Sequence, residues 1–403
     1  MTPPQNQNQN PKPPPARRGR WLRKFTLLLF ILGLAGVGGW RYRVTRPEYR
    51  LARGQDAIRA GNAEKVRDYA DRLEAAGHAD QAHLLRGEAL LSLGSPGMAL
   101  DQLNKVASEG PIRLRAAALS GRCLLQLGDL REAHRVFSFV IAEQPDHADG
   151  HRGLAAIAYD LGQLGEAIVH LGRVAELDPR DYRPHRLIGL IYKDMARDGD
   201  AEEAYRESLR RDPPAAAARE VRLALAEVLA RQTKYADGLA ILGELELIAA
   251  GEDPNPVALR AECLRGLGRT REAADMLDAA LPRYPSAVLF RLRGQVHQDS
   301  VQLPEAVKCL ERSVELDPNE YQSHYLLGQA YSGAGRMEEA GRAFARVDAL
   351  KKNLDRITTL SKEAMEKPWD PKVRLELAKL SDDMGKPNLA QMWRKAADAC
   401  EER

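Results

Sequence analysis

The sequence predicts an all-α fold, a solenoid of stacked helical hairpins, on three observations. From about residue 80 the 403-residue chain matches itself at a period of 34, small residues recur at two fixed places in each period, and proline closes it. Only 5% of the residues are aromatic while Ala and Leu recur throughout, a balance that suits close-packed helices better than sheets.

Four consecutive units begin at 80, 114, 148 and 182. Counted within each unit, the eighth slot holds Gly87, Gly121, Ala155 and Gly189, and the twentieth holds Ala99, Ala133, Ala167 and Ala201. The twenty-fourth holds Leu103, Phe137, Leu171 and Tyr205, and the thirty-second Pro111, Pro145, Pro179 and Pro213. After Pro213-Pro214 the register slips by a few residues and resumes in units near 219, 254, 287 and 321. There the eighth slot holds Ala226, Ala261, Gly294 and Gly328, the twentieth Gly238, Ala273, Ala306 and Ala340, and the twenty-fourth Leu242, Leu277, Leu310 and Phe344.

This spacing describes a helical hairpin. Small side chains at slots eight and twenty let two antiparallel helices approach closely, the large residue at twenty-four fills the gap, and proline stops the second helix. The turn between the helices is marked by LGDLREA (127–133), LGQLGEA (161–167), LGRTREA (267–273) and AGRMEEA (334–340). In each, glycine ends the first helix as a left-handed cap. The repeats therefore run contiguously over 80–215 and again over 219–354, with a degenerate unit at 47–79, a connecting helix or linker at 355–370 and a capping repeat at 371–403. Degenerate ends are what a stacked array needs for solubility.

Residues 1–20 form a basic tail rich in Pro, Asn and Gln, with too little apolar surface to order, and are expected to be disordered. Residues 21–42 carry the uncharged run Phe25–Trp40 with Trp21, Trp40 and Tyr42 at its margins, and predict a single transmembrane helix. The run makes roughly 24 Å of helix against a hydrocarbon core of roughly 30 Å, so Arg23 and Lys24 must snorkel. A cleaved signal peptide is the alternative, although no A-x-A follows the run. A short tail bearing positive charge resists crossing, which predicts a single-pass membrane protein with its repeats on the exported side, the cytoplasmic side being the alternative.

Residues 1–53 hold eleven Lys or Arg against the single acid Glu48, so 49 basic and 56 acidic residues remain in the body. An acidic body excludes general nucleic-acid binding, which is driven by neutralising phosphates. Cys123, Cys263, Cys309 and Cys400 stand alone with no C-x-x-C pair, which removes zinc-ribbon and thioredoxin-like readings. No G-x-x-x-x-G-K-[ST] or G-x-S-x-G occurs, and repeats leave no stretch long enough for a catalytic domain. Neither an enzyme nor a bound cofactor is expected.

The registered units resemble the tetratricopeptide repeat family, strongly over roughly 80–354 and more loosely over 47–403. The resemblance implies a right-handed superhelix whose first helices line a concave groove for peptides or folded partners. It also implies that slots two, five, nine, twelve and thirteen face into that groove. On these slots the units beginning at 114, 148 and 182 place Arg115, Arg122, Arg152, Tyr159, Arg183, Arg186, Leu190 and Lys193, opposed by Asp149, Asp160 and Asp194. Such a basic patch is expected to attract an acidic segment or a carboxy-terminal carboxylate, which arginine grips through paired hydrogen bonds. The ninth slot holds Arg122, Ala156 and Leu190 where the family's chaperone-binding carboxylate clamp has Asn, so a clamp of that type is not expected.

His147 and His151 lie four apart, a spacing that metal sites use. However, His151, His185 and His324 share the fourth slot, where the family places a large ring, and packing accounts for them. The expected function is a membrane-anchored scaffold or adaptor for protein–protein contacts in a cell-envelope complex. The alternative is a noncatalytic regulatory subunit of a membrane-bound enzyme or of a secretion or surface-polymer system.

Overall fold

A computed structural model describes residues 45–243, 254–367 and 370–401, and every regular element among them is helical. The expected tail at 1–20 and the expected span at 21–42 lie outside these residues. The expected single-pass membrane localisation is corrected: among the described residues no helix is long and apolar enough to cross a membrane. The longest, Met337–Glu366, has the length at 30 residues, but Lys, Arg, Asp and Glu recur along it and would be costly in hydrocarbon.

The chain divides into two compact units, one ending at Ala116 and one beginning at Ala117. The first contains α1 (Pro47–Arg59), α2 (Ala63–Ala75), α3 (Ala79–Ser92) and α4 (Pro96–Leu103), followed by the start of α5 (Pro111–Leu127). In the second, α6 (Leu130–Glu143), α7 (Ala148–Asp160), α8 (Leu164–Leu177), α9 (Arg183–Asp194) and α10 (Asp198–Arg210) follow in hairpin order. They lead to α11 (Ala215–Arg231), α12 (Tyr235–Gly243), α13 (Asn255–Gly266), α14 (Thr270–Ala280), α15 (Ala287–Asp299) and α16 (Leu303–Leu316). The last elements are α17 (Tyr321–Gly333), α18 (Met337–Glu366), α19 (Pro371–Asp383) and α20 (Pro387–Glu401).

Within a hairpin, slot eight meets slot twenty-four directly. A Cβ added to Gly121 would lie 2.6 Å from the Phe137 ring, and one on Gly189 would lie 2.7 Å from the Tyr205 ring. Phe137 and Tyr205 are buried, so the missing side chain of one helix is the space occupied by the large side chain of the other. Phe137 also presses on Gly153 of the next hairpin, where a Cβ would come within 2.3 Å, and so joins two repeats.

The turns share one backbone conformation. Slot fifteen has positive φ in Gly94, Gly128, Gly162, Gly268 and Gly335, and equally in Ala196, Thr233 and Val301, where no glycine is present. At Gly128 and at Val301 the closing bonds match: Asp129 N donates to Leu124 O at 3.0 Å, and Gln302 N to His297 O at 2.8 Å. These are the bonds of a Schellman cap, which satisfies carbonyls left open at a helix end.

Two departures from strict periodicity have local causes. Asp212 turns with φ 49°, Pro214 caps α11, and the alanines from Ala215 wind extra turn onto it, giving a first helix of 17 residues. Past 354 the second helix of the hairpin begun by α17 simply continues to Glu366, with Leu360 and Ala364 buried. Finally, α20 packs back against α6 and α7, far from it in sequence.

Candidate protein-binding groove

The first helices α7 and α9 belong to neighbouring hairpins, and helical spacing brings one face of each together. Arg152, Ala155, Ala156 and Tyr159 of α7 meet Leu187 and Leu190 of α9 around a cleft of about 220 Å³, with Asp160, Leu171 and Ile191 completing its wall. The floor is apolar and the rim polar, which is the general make-up of a ligand cleft.

Of the eight residues marked by the sequence, Arg152, Tyr159 and Leu190 line this one cleft. Arg115 falls in the amino-terminal unit, where its guanidinium donates to both Glu88 carboxylate oxygens at 3.1 Å. Arg183 lies beside Arg152 through a shared acid: Asp181 accepts from Arg183 Nε at 2.8 Å and from Arg152 Nη2 at 3.3 Å. Arg186 faces Glu220 at 3.6 Å and Lys193 donates to Glu227 at 2.8 Å. Arg122 is exposed and has no ion-pair partner among the described residues.

The positive charge of the patch is therefore largely met by acids. Asp181 is only 7% exposed; burial alone would raise its carboxyl, but the hydrogen bonds and charge of Arg183 with the charge of Arg152 hold it below the ordinary range. Tyr159 is pushed up to about 12, chiefly by burial and then by Asp194, to which its hydroxyl donates at 3.2 Å. Burial raises the Asp160 carboxyl, and Lys395 opposes that rise. Tyr159 is thus a neutral donor and Asp160 a poorly solvated acid at the rim.

Glu88, Asp181, Glu220 and Glu227 are absent from the sequence-marked set. For Glu220 and Glu227 the signal is a separation of one period: Arg186 to Glu220 and Lys193 to Glu227 are each 34 apart, the offset that sets first helices side by side. The histidines behave as packing and capping groups. His147 Nδ1 accepts from Gly150 N at 3.2 Å at the start of α7, and His151 Nε2 bonds Pro145 O at 2.8 Å. Among the described residues, no group of three or more His, Cys, Asp or Glu is placed to hold a metal.

Three stretches of the chain match tetratricopeptide-repeat profiles: residues 124–191, 187–214 and 291–353. Over these stretches the chain is similar to tetratricopeptide repeats. Human tetratricopeptide repeat protein 13 is 33% identical over 116 residues, which is 28% of this chain and 13% of the human protein. The chain thus spans only a small part of that relative's length.

Among solved structures, a tetratricopeptide repeat protein from Parabacteroides merdae is 16% identical and covers 62% of this chain and 98% of its own, with a TM-score of 0.42. Pseudomonas aeruginosa PilF is 19% identical and covers 52% of this chain and 93% of its own, with a TM-score of 0.43. The matches indicate no enzyme family; tetratricopeptide repeats generally form noncatalytic scaffolds that bind protein or peptide partners.

Proposed function

We propose that the chain is a scaffold that holds a protein partner by an extended segment laid across α7 and α9. The observation that carries this reading is the cleft between these helices, an apolar floor of Ala155, Ala156, Leu187 and Leu190 rimmed by Arg152 and Tyr159. An apolar side chain of the partner fills the floor. An acidic side chain or terminal carboxylate of the same segment is met by Arg122, which has no competing acid, by Arg186, whose Glu220 lies 3.6 Å away, and by Arg152, which exchanges exposed Asp149 for it.

An array of immobilised peptides, varied in apolar anchor and in terminal charge, tests this with the full chain. Leu190→Arg fills the cleft and is expected to abolish capture of every peptide that the parent holds. Combined charge reversal of Arg122, Arg152 and Arg186 is expected to weaken acidic peptides selectively. Lys308→Glu, on α16, is expected to leave capture unchanged. Equal capture by parent and Leu190→Arg removes the cleft from the binding site.

A further inference from the structure

The carboxy-terminal hairpin α19–α20 does more than end the stack. It returns to the α5–α6 and α7–α8 turns of its own unit, and the contact is made by two arginines in opposite directions. From the returning side, Arg374 is 0% exposed and donates through Nη2 to Leu161 O, the carbonyl at the end of α7, at 3.1 Å. Its other terminal nitrogen serves Lys367 O and Asp370 O at 3.3 and 3.2 Å. From the receiving side, Arg131 at the start of α6 donates to Ala399 O and Cys400 O, near the end of α20, at 3.3 and 3.1 Å.

Each arginine thus closes carbonyls that the other element's helix leaves open, and each cation sits at the negative end of a helix dipole. The rest of the seam is partly apolar, with Leu130, Leu161 and Trp393 buried. The Trp393 ring rests 3.1 Å from where a Cβ on Gly162 would be, so the ring lies close against that turn. Around this contact lie two cavities, about 290 Å³ between Gln126, Asp129, Lys395 and Asp398, and about 230 Å³ between Leu130, Asp160, Gln391 and Lys395. As in the hairpins, a ring meets a glycine here, but the seam is closed at both edges by arginine–carbonyl bonds and leaves two cavities beside it.

Asp160 belongs to both places. It lines the second seam cavity with Lys395 and it lines the groove cleft with Tyr159. We propose that α19–α20 is a releasable latch: seated on the two turns it fixes the α7 end of the groove cleft through Asp160, and released it lets α7 and the cleft loosen. The consequence for a partner rests on the groove reading above, whereas the seam is tested without any ligand.

The full chain is treated with a zero-length carbodiimide and mapped by mass spectrometry, and backbone hydrogen exchange is followed over 152–163 and 387–401. The parent is expected to couple Lys395 to Asp129 or Asp160 and to protect both segments. Arg131→Ala, a substitution on a half-buried surface, is expected to lose the coupling and to speed exchange in both segments while far-UV helicity is unchanged. Arg374→Ala does the same but empties a buried site, so Arg131→Ala is the deciding variant. Absence of Lys395 coupling in a fully helical parent overturns the latch. Faster exchange at 387–401 with no change at 152–163 overturns the link to the cleft. Loss of peptide capture by Leu190→Arg bears only on the groove reading.

Discussion

Inside a hairpin, Phe137 and Tyr205 meet glycines at distances that leave no room for a methyl group. On the groove face, Arg152, Arg186 and Lys193 meet acids of the same or neighbouring helices at half-exposed sites, where either partner can be exchanged with little disturbance. The two regions use the same period for different ends. The interior turns it into steric fit, which sets how hairpins stack, and the groove turns it into a ladder of charges, which changes from unit to unit while the stack persists.

The largest break is expected in the interior. Phe137→Ala removes a wholly buried ring that contacts two hairpins and should cost about 3–5 kcal/mol, read as a lower urea midpoint. Gly121→Ala forces a Cβ to within 2.6 Å of that ring and should cost about 1–3 kcal/mol in the same assay. The turns give a change of opposite sign. Val301 is 79% exposed at φ 56°, so Val301→Gly relieves left-handed strain that exceeds the added chain entropy, for a gain of about 1 kcal/mol seen as a higher melting temperature.

The groove should respond least. A double-mutant cycle on Lys193 and Glu227 should give a coupling of under about 1 kcal/mol, shrinking as salt is raised. A coupling as large as the Gly121→Ala effect would erase the contrast between the two regions.

The interior was legible in the sequence because steric fit needs particular residue sizes at particular slots, and size repeats visibly. The turn was legible only where Gly128, Gly162, Gly268 and Gly335 announce it. Ala196, Thr233 and Val301 take the same positive φ because the packed helices on either side impose it, so side-chain type carries no trace. The groove was half legible: counting slots found the cations and the opposing Asp149 and Asp194, whereas Glu220 and Glu227 sit one period away and emerge only when slots are compared between units. The membrane reading rested on local hydropathy outside the described residues, and no described helix supplies a span in its place. The return of α20 left no signal, since Arg374 looks like any surface arginine until Leu161 is beside it.

That return also sets late contacts apart from early ones in the order of the chain. Its hydrogen bonds join residues 213, 268 and 269 positions apart, whereas each hairpin closes within a single repeat. Local pairs form first, because distant ones must meet the entropy of a long loop before any contact rewards it. At a synthesis rate of ~5–20 residues per second, the α7–α8 turn emerges roughly 10 to 50 s before its partner exists. For that interval the Leu161 carbonyl is held by water alone, and a nascent chain carries an open edge that the finished one does not.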